Sequence, residues 1–308
     1  MAKRQLPGWQ AVPLCGFLSA LGLFASLLPR RAEVALGRAL GRLVFRAKLF
    51  KRGVVEANVA RCFPRLDGSS RLSLIKRNYE HYGVLLFEFM HYFSPIPGHW
   101  RRYVPTAARV EGLEHWQKAL ARGKGVIIFC SHMGSWETAA SAAGLAGVQS
   151  TIVTTVLTPR WLHDKITACR ASVGLNAAFH PGSMSAVLKT LRRGGTVAFM
   201  NDQYASPPMG LPVVFFNTRV DTLSVVGPLA KRTGAAVVPF CTFREPDGTT
   251  VARFEPEFDL GENSGDPEAA TQRVAARVES WVRAHPAQWL WMHRRFKNTP
   301  EPLSPEAA

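Results

Sequence analysis

Short apolar runs alternate with helical segments between residues 125 and 286. The runs predicted as buried strands are 125–130, 150–156, 196–200, 235–243 and 249–258. Helical spacing and end signals predict helices at 135–147, 159–174, 183–195, 222–234 and 267–286, after an earlier helix at 69–95. Since alternation of this kind favours crossover connections, the sequence predicts an α/β fold with a largely parallel central sheet flanked by helices.

The charge of the chain is strongly positive. It carries 38 Lys and Arg against 22 Asp and Glu, a net charge of +16, which indicates an anionic partner: a membrane surface, nucleic acid, or an acidic protein or substrate. Charge alone does not choose among these.

The five cysteines are scattered and form no CxxC pair. Their arrangement argues against a disulfide framework and against structural zinc, and no metal site is predicted.

Residues 11–29 are uncharged and about long enough to cross a bilayer as a helix. Lys3 and Arg4 precede this stretch, and a denser basic cluster follows it, which favours a cytoplasmic location for the rest of the chain. We therefore expect residues 1–29 to form an N-terminal membrane-anchoring helix, either spanning or interfacial, ahead of one domain at 30–308. A cleaved signal peptide is disfavoured because dense Arg follows directly. A buried core helix is the other alternative.

Arg38, Arg42 and Arg46 recur at every fourth residue after this stretch, with Leu40 and Leu43 among the apolar residues between them. The pattern predicts a basic amphipathic helix suited to anionic lipid. A solvated surface helix fits the same pattern equally well.

The segment with the clearest chemistry is CSHMGSWE, residues 130–137, where a predicted strand passes into a helix. Ligands of α/β sheets bind beyond the carboxyl ends of the strands, which is where His132 lies. An imidazole can remove the proton of a hydroxyl nucleophile, and Glu137 in the first helical turn could fix its tautomer. The N–H groups at the helix start could stabilise developing negative charge. In the alternative interpretation His132 only covers the sheet end and Glu137 is a solvated helix residue.

The run HMGSWE resembles the H-x4-D/E motif of the glycerolipid acyltransferase superfamily, and in particular the bacterial late acyltransferases of lipid A biosynthesis, the lauroyl and myristoyl transferases. Further segments match in the same order along the chain: Asn58 with Phe63-Pro64, Arg170 with Gly174, Asn201-Asp202-Gln203, Val214-Phe215-Phe216 with Thr222, Val238-Pro239, and QWLWMHRRFK at 288–297. One departure is Asn217, where the family usually has Gly. Because Asn also adopts left-handed backbone angles, we expect the turn to be kept.

The resemblance implies an acyltransferase domain that uses no cofactor. The implied donor is an acyl thioester on acyl carrier protein, sometimes coenzyme A, and the implied acceptor is a hydroxyl of an anionic lipid A precursor at the cytoplasmic face of the bacterial inner membrane. His132 would deprotonate the hydroxyl, Glu137 would orient His132, and no acyl-enzyme would form. The substrate contacts it implies are Arg170, Asp202, Gln203, His293, Arg294 and Arg295. For Arg170, Asp202 and the last three, a purely structural role is also open.

Other functions remain possible at this level. Relatives with these motifs acylate mannosylated phosphatidylinositol, other lysolipids or pigment-like lipids, so the acceptor could differ. A non-catalytic protein that binds anionic lipid would also be basic. Nucleic acid is not an expected partner, because no nucleic-acid motif is present. A serine hydrolase is disfavoured because the chain has no GxSxG elbow.

Overall fold

A computed structural model describes residues 8–261, 265–297 and 299. Its helices are α1 (Gly8–Leu27), α2 (Arg30–Arg46), α3 (Arg52–Cys62), α4 (Gly68–Met90), α5 (His99–Ala107), α6 (Leu113–Leu120), α7 (Trp136–Leu145), α8 (Arg160–Ala171), α9 (Ser183–Arg192), α10 (Val226–Thr233) and α11 (Pro267–Ala284). Short 3-10 turns cover His91–Phe93 and Pro286–Gln288.

The strands are β1 (Ala108–Glu111), β2 (Val126–Cys130), β3 (Ser150–Thr155), β4 (Leu175–His180), β5 (Thr196–Met200), β6 (Gly210–Phe215), β7 (Thr218–Leu223), β8 (Ala236–Arg244) and β9 (Thr250–Phe254). Seven of them form one sheet in the order β1-β9-β8-β2-β5-β3-β4. Its pairs are parallel except for the antiparallel β8–β9 pair. The predicted α/β fold with a largely parallel central sheet flanked by helices is confirmed.

Strand β2 lies near the middle of this sheet, between β8 and β5. Each of its residues is buried, because helices cover both faces of a parallel sheet and only a continuous apolar run fits there. Cys130 at its end is in register with Met200 at the end of β5. The residues that follow these two strands therefore emerge side by side.

Several elements differ from the sequence predictions. β1, β4 and the β6–β7 hairpin were not predicted, and α10 begins at Val226 rather than at 222, because Thr222 and Leu223 belong to β7. The hairpin turns at Phe216 and Asn217, whose φ angles are 46° and 51°. Two consecutive left-handed residues are what a two-residue hairpin requires, so Asn217 does keep the turn.

The N-terminal stretch forms helix α1, as expected, but the expected membrane span is not supported. No helix in the described part of the chain combines the length and apolar character needed to cross a membrane. Gly16, Ser19, Gly22 and Ser26 lie within α1 and lower its mean hydropathy. The preceding Lys3 and Arg4 fall outside the described residues.

The basic side of α2 does not face outward as a whole. Arg38 donates a hydrogen bond to the carbonyl oxygen of Pro246 at 2.8 Å, and the Arg42 guanidinium lies 3.5 Å from Glu80. Arg46 is exposed. The amphipathic pattern therefore indicated a helix correctly, but two of its three arginines contact the protein itself.

Helix α2 packs on α4 at very short range. A Cβ atom added at Gly83 would lie 2.0 Å from the carbonyl oxygen of Gly37, and one added at Gly41 would lie 2.1 Å from that of Tyr79. Ion pairs secure the same contact: Arg30 of α2 and Arg244 of β8 both bind the buried Glu88 of α4. Burial alone would raise the pKa of Glu88, but Arg244 and Arg30 lower it to about 2.

Gly83→Ala should separate these two helices. Because backbone, not a flexible side chain, occupies the space of the new methyl group, we expect a loss of about 1–3 kcal/mol in the free energy of unfolding, measured by urea denaturation. The matched control is Gly53→Ala in α3, where nothing lies within 4 Å of an added Cβ. The control should be neutral or stabilising by up to about 1 kcal/mol. Equal stability of both variants would contradict the close packing.

Candidate active site

The segment after β2 forms a turn that is held from the C-terminal part of the chain. The carbonyl oxygen of His132 accepts a hydrogen bond from the Leu290 N–H at 3.1 Å, and the Gly134 N–H donates to the Gln288 carbonyl oxygen at 3.2 Å. Gly134 has a φ of 59°, and an added Cβ would meet the Phe243 backbone at 2.9 Å. The turn therefore needs glycine here, and it fixes the backbone beside His132.

The imidazole of His132 is paired with Asp202. Its Nδ1 lies 2.8 Å from Asp202 Oδ1, and its backbone N–H donates to Asp202 Oδ2, also at 2.8 Å. Asp202 follows Met200 by two residues, as His132 follows Cys130. Because Cys130 and Met200 are in register in parallel strands, the two side chains meet at the carboxyl edge of the sheet.

Asp202 receives a third hydrogen bond from the C-terminal segment. The indole Nε1–H of Trp289 donates to Asp202 Oδ2 at 2.8 Å. Burial by itself would raise the pKa of the Asp202 carboxyl, but the charge and hydrogen bonds of His132, with Trp289 adding to them, hold that pKa below its ordinary value. Asp202 is therefore a buried carboxylate that only accepts hydrogen bonds.

This pairing fixes which imidazole nitrogen is free. Since a carboxylate cannot donate, Nδ1 carries the proton and Nε2 is left as the acceptor. Nε2 lies 3.5 Å from the side-chain nitrogen of Gln203, and the His132 side chain is 19% exposed, so it remains accessible. The arrangement is that of a general base aimed at an open space.

Glu137 lies in the first turn of α7, as predicted, but its carboxylate is bound by groups other than His132. Its carboxylate accepts hydrogen bonds from Arg170 Nε at 3.0 Å, from Arg170 Nη2, and from the Tyr92 hydroxyl at 3.0 Å. Burial would raise the pKa of Glu137, but the Arg170 guanidinium outweighs burial and lowers it. The prediction that Glu137 orients His132 is wrong in this geometry, because the nearby cation draws its carboxylate away and Asp202 holds the imidazole instead.

The remaining predicted substrate contacts lie in three different settings. Arg170 and Gln203 lie at the site. Arg295 is buried, and its guanidinium donates to the carbonyl oxygen of Gln203 at 2.6 Å and to Thr222 Oγ1 at 2.5 Å. It therefore supports the wall behind the site. His293 is half-buried and Arg294 is exposed.

Asn58 connects the N-terminal sequence signature with the C-terminal one. Its side-chain amide donates to the carbonyl oxygens of Trp291 and His293, both at 2.8 Å. The two tryptophans Trp289 and Trp291 are among the largest fully buried side chains. The C-terminal signature, residues 288–297, is therefore anchored at Asn58 and reaches Asp202 through the buried Trp289, and we call it the C-terminal strap.

Tyr92 is a site residue that the sequence analysis missed. It lies in the 3-10 turn after α4, stacks on Trp100 with ring centroids 4.2 Å apart, and holds Glu137. Nothing in the local sequence marks it, because its partner comes from another element. The role of Trp289 was also missed, although its position in the C-terminal signature was a signal.

Two cavities meet at this site. The smaller one has a volume of about 270 Å³ and runs from His132 along apolar residues of β2, β3, β5 and α7, including Ile128, Ala143 and Ala198. The larger one has a volume of about 990 Å³ and lies among α2, α4 and α8. Trp136, Glu137 and Arg170 line both cavities. The Glu137–Arg170 pair therefore stands between two mainly apolar spaces.

These features define an α/β site in which a histidine can take the proton of a hydroxyl group, beside spaces suited to hydrocarbon. In the described part of the chain, no group of three or more His, Cys, Asp or Glu side chains is placed to hold a metal ion.

Comparison with known proteins agrees with this class. The family profile of the bacterial lipid A biosynthesis acyltransferases matches residues 14–298, and the chain belongs to that family. It is accordingly an O-acyltransferase. It is similar to the lipid A biosynthesis lauroyltransferase of Escherichia coli K12, with 25% identity over 276 residues that cover 89% of this chain and 88% of the relative.

Two further relatives differ in the acceptor that their names state. The lipid A biosynthesis palmitoleoyltransferase of Escherichia coli K12 is 25% identical over 285 residues, covering 89% of this chain and 87% of the relative. The phosphatidylinositol mannoside acyltransferase of Mycobacterium tuberculosis is 32% identical over 190 residues, covering 58% of this chain and 57% of the relative.

Asp202→Asn should remove most of the activity. An amide nitrogen at the Oδ2 position cannot accept the N–H groups of His132 and Trp289, and the negative charge is lost. We expect kcat to fall by about 10²–10⁴-fold in an acyl-transfer assay. Asp221→Asn is the matched control, because Asp221 contacts Arg295 through its backbone carbonyl. Retention of wild-type kcat by Asp202→Asn would contradict the role given to Asp202.

Proposed function

We propose that this enzyme transfers a fatty acyl chain from acyl-acyl carrier protein, or from acyl-CoA, to a hydroxyl of a lipid A precursor. The observation that carries the proposal is the His132–Asp202 pair, whose free Nε2 faces a cavity that continues between apolar side chains. Membership of the lipid A acyltransferase family supports the acceptor class.

In the proposed reaction, His132 Nε2 takes the proton of the acceptor hydroxyl while its oxygen attacks the thioester carbonyl carbon. Asp202 stabilises the imidazolium that forms. The C–S bond of the tetrahedral intermediate then breaks, and the imidazolium returns its proton to the thiolate that leaves. The acyl group passes directly to the acceptor oxygen, and the histidine ends in its starting state.

Arg170 supplies positive charge at the junction of the two cavities. Glu137, whose carboxylate also accepts a hydrogen bond from the Tyr92 hydroxyl, holds the Arg170 guanidinium, and the Arg170 side chain is only 12% exposed. We assign Arg170 to a phosphate of the acceptor or to the thioester end of the donor, with Glu137 as its positioning residue. Gln203, beside Nε2, is assigned to the reacting groups themselves.

We assign the two cavities to different hydrocarbon chains. The smaller one begins at His132, so it would hold the acyl chain that is transferred. The larger one begins at the Glu137–Arg170 pair and would hold acyl chains already present on the acceptor. This division would bring the donor carbonyl to His132 and the acceptor headgroup to the Glu137–Arg170 pair, where the two cavities meet.

The net charge of +16 and the exposed Arg294 support an acidic donor protein and a polyanionic acceptor. Location at the cytoplasmic face of the bacterial inner membrane is also a proposal. It is supported by exposed apolar side chains on α1, among them Phe17, Phe24 and Leu27. His293 and Arg294 would then lie near the anionic headgroup.

A second acceptor class is favoured by one observation. The relative with the highest identity among those described above carries the name of a phosphatidylinositol mannoside acyltransferase. The alternative is therefore acyl transfer to another phosphorylated glycolipid by the same chemistry.

The direct test is mass spectrometry of a lipid A precursor incubated with acyl-acyl carrier protein and purified enzyme. We expect a mass gain of one acyl group with wild type, and a rate at least about 10²-fold lower with His132→Ala. His180→Ala, an exposed residue at the end of β4 that lines neither cavity, is the control. No gain with wild type would refute the lipid A acceptor, and a gain with a mannosylated phosphatidylinositol would select the alternative. Equal rates for wild type and His132→Ala would refute the general base.

Ala143→Leu should shorten the preferred acyl donor. Ala143 is buried in α7 and lines only the smaller cavity, so a larger side chain removes space from the far part of the proposed acyl site. We expect kcat/KM to fall by about tenfold or more for the longest accepted donor and to change little for donors shorter by several carbons. Leu162→Phe, in the larger cavity, should leave the donor order unchanged. A uniform loss across all donors would contradict the assignment.

A further inference from the structure

The loop between α2 and α3, residues 47–51, exposes two large apolar side chains. Leu49 is 58% exposed and Phe50 is 67% exposed. The surfaces of soluble proteins commonly carry single exposed apolar side chains, but two adjacent ones in one loop favour contact with an apolar partner such as a membrane. Both also line the larger cavity, together with the exposed Leu86 of α4. The loop therefore forms part of the apolar rim of that cavity.

The backbone of this loop is held in place rather than left free. The buried hydroxyl of Tyr79 donates to the carbonyl oxygens of Leu49 at 3.2 Å and of Phe50 at 2.8 Å. Lys48, Phe50 and Lys51 all have left-handed φ angles, of 52°, 56° and 59°. Such angles are unfavourable for residues other than glycine. The fold thus maintains a strained loop that presents Leu49 and Phe50 outward.

Positive charge surrounds the exposed pair. Arg46, Lys48 and Lys51 are exposed, and within the described residues none of them forms a salt bridge. The carboxylate of Glu56 nearby is already paired with Arg52 at 2.7 Å. Apolar side chains ringed by unpaired cations match the interface of an anionic bilayer, where hydrocarbon and phosphate lie a few ångströms apart.

We propose that residues 47–51 insert into an anionic lipid bilayer and open the larger cavity directly to it. A lipid acceptor would then pass from the membrane into the cavity with its hydrocarbon shielded from water, and would meet Arg170 and His132 at the inner end. The exposed residues and cations of the loop support the membrane contact, whereas the passage of an acceptor rests on the proposed function.

The first test is flotation of the full chain with vesicles of phosphatidylglycerol and phosphatidylcholine in equal parts. We expect Leu49→Ser/Phe50→Ser to lower the partition coefficient by about tenfold or more. The matched control is Met209→Ser/Val214→Ser, which removes another exposed apolar pair, 48% and 39% exposed, just before β6 and within it. Unchanged flotation of the loop variant, or an equal loss in the control, would overturn the proposal.

A second variant avoids the apolar residues and the cavity. Lys48→Gln/Lys51→Gln should lower the partition coefficient by about 30-fold and weaken its dependence on salt, because two cations near an anionic surface together contribute about 2 kcal/mol. Acyl transfer should fall for an acceptor embedded in vesicles and be kept for the same acceptor in neutral detergent. Equal rates in vesicles for this variant and wild type would overturn the proposal. Absence of transfer by wild type in both media, with flotation intact, would refute the proposed function and leave the loop assignment standing.

Discussion

The carboxylate of Asp202 is the point on which the site depends. It is buried, and it receives N–H groups from the His132 ring, the His132 backbone and the Trp289 indole. These donors belong to the turn after β2 and to the C-terminal strap, while Asp202 itself follows β5. One side chain thus joins three remote parts of the chain and sets the tautomer of the base. An unpaired buried carboxylate would be costly, so the strap and the turn stabilise each other through it.

The Glu137–Arg170 ion pair is likewise a buried charge that is stabilised by a partner from another element. Glu137 and Arg170 are a buried ion pair between two apolar cavities, and Tyr92 completes the hydrogen bonds of the carboxylate. Without this carboxylate the guanidinium would be an unpaired charge between two mainly apolar spaces. In the proposed reaction, the guanidinium held in this way would meet a phosphate of the acceptor or the polarised thioester carbonyl.

Much of the fold followed from the sequence because the buried strands are continuous apolar runs and the helices have clear ends. VIIFC and TVAFM could be recognised as strands, whereas LNAAFH of β4 carries a weaker pattern and was missed. The position of His132 also followed from the strand–turn–helix pattern. The partner of His132 could not be predicted, because local sequence does not show which strands are neighbours in the sheet. Glu137 is close to His132 in the chain, whereas Asp202 is close in space because β2 and β5 are paired in register. The arginines of α2 show the same limit. Their periodicity does not show whether the basic side of the helix contacts lipid or, as found here, Pro246 and Glu80 of the protein itself.

Asp202, and not Glu137, holds the His132 imidazole with Nε2 free. This pairing can be measured by two-bond ¹H–¹⁵N correlation spectra of the protein labelled at histidine nitrogens, assigned with His132→Gln. We expect a protonated Nδ1 and an unprotonated Nε2 for the neutral His132 ring, unchanged in Glu137→Gln and altered in Asp202→Asn. A proton on Nε2 in the wild-type protein, or a change of tautomer in Glu137→Gln alone, would contradict it.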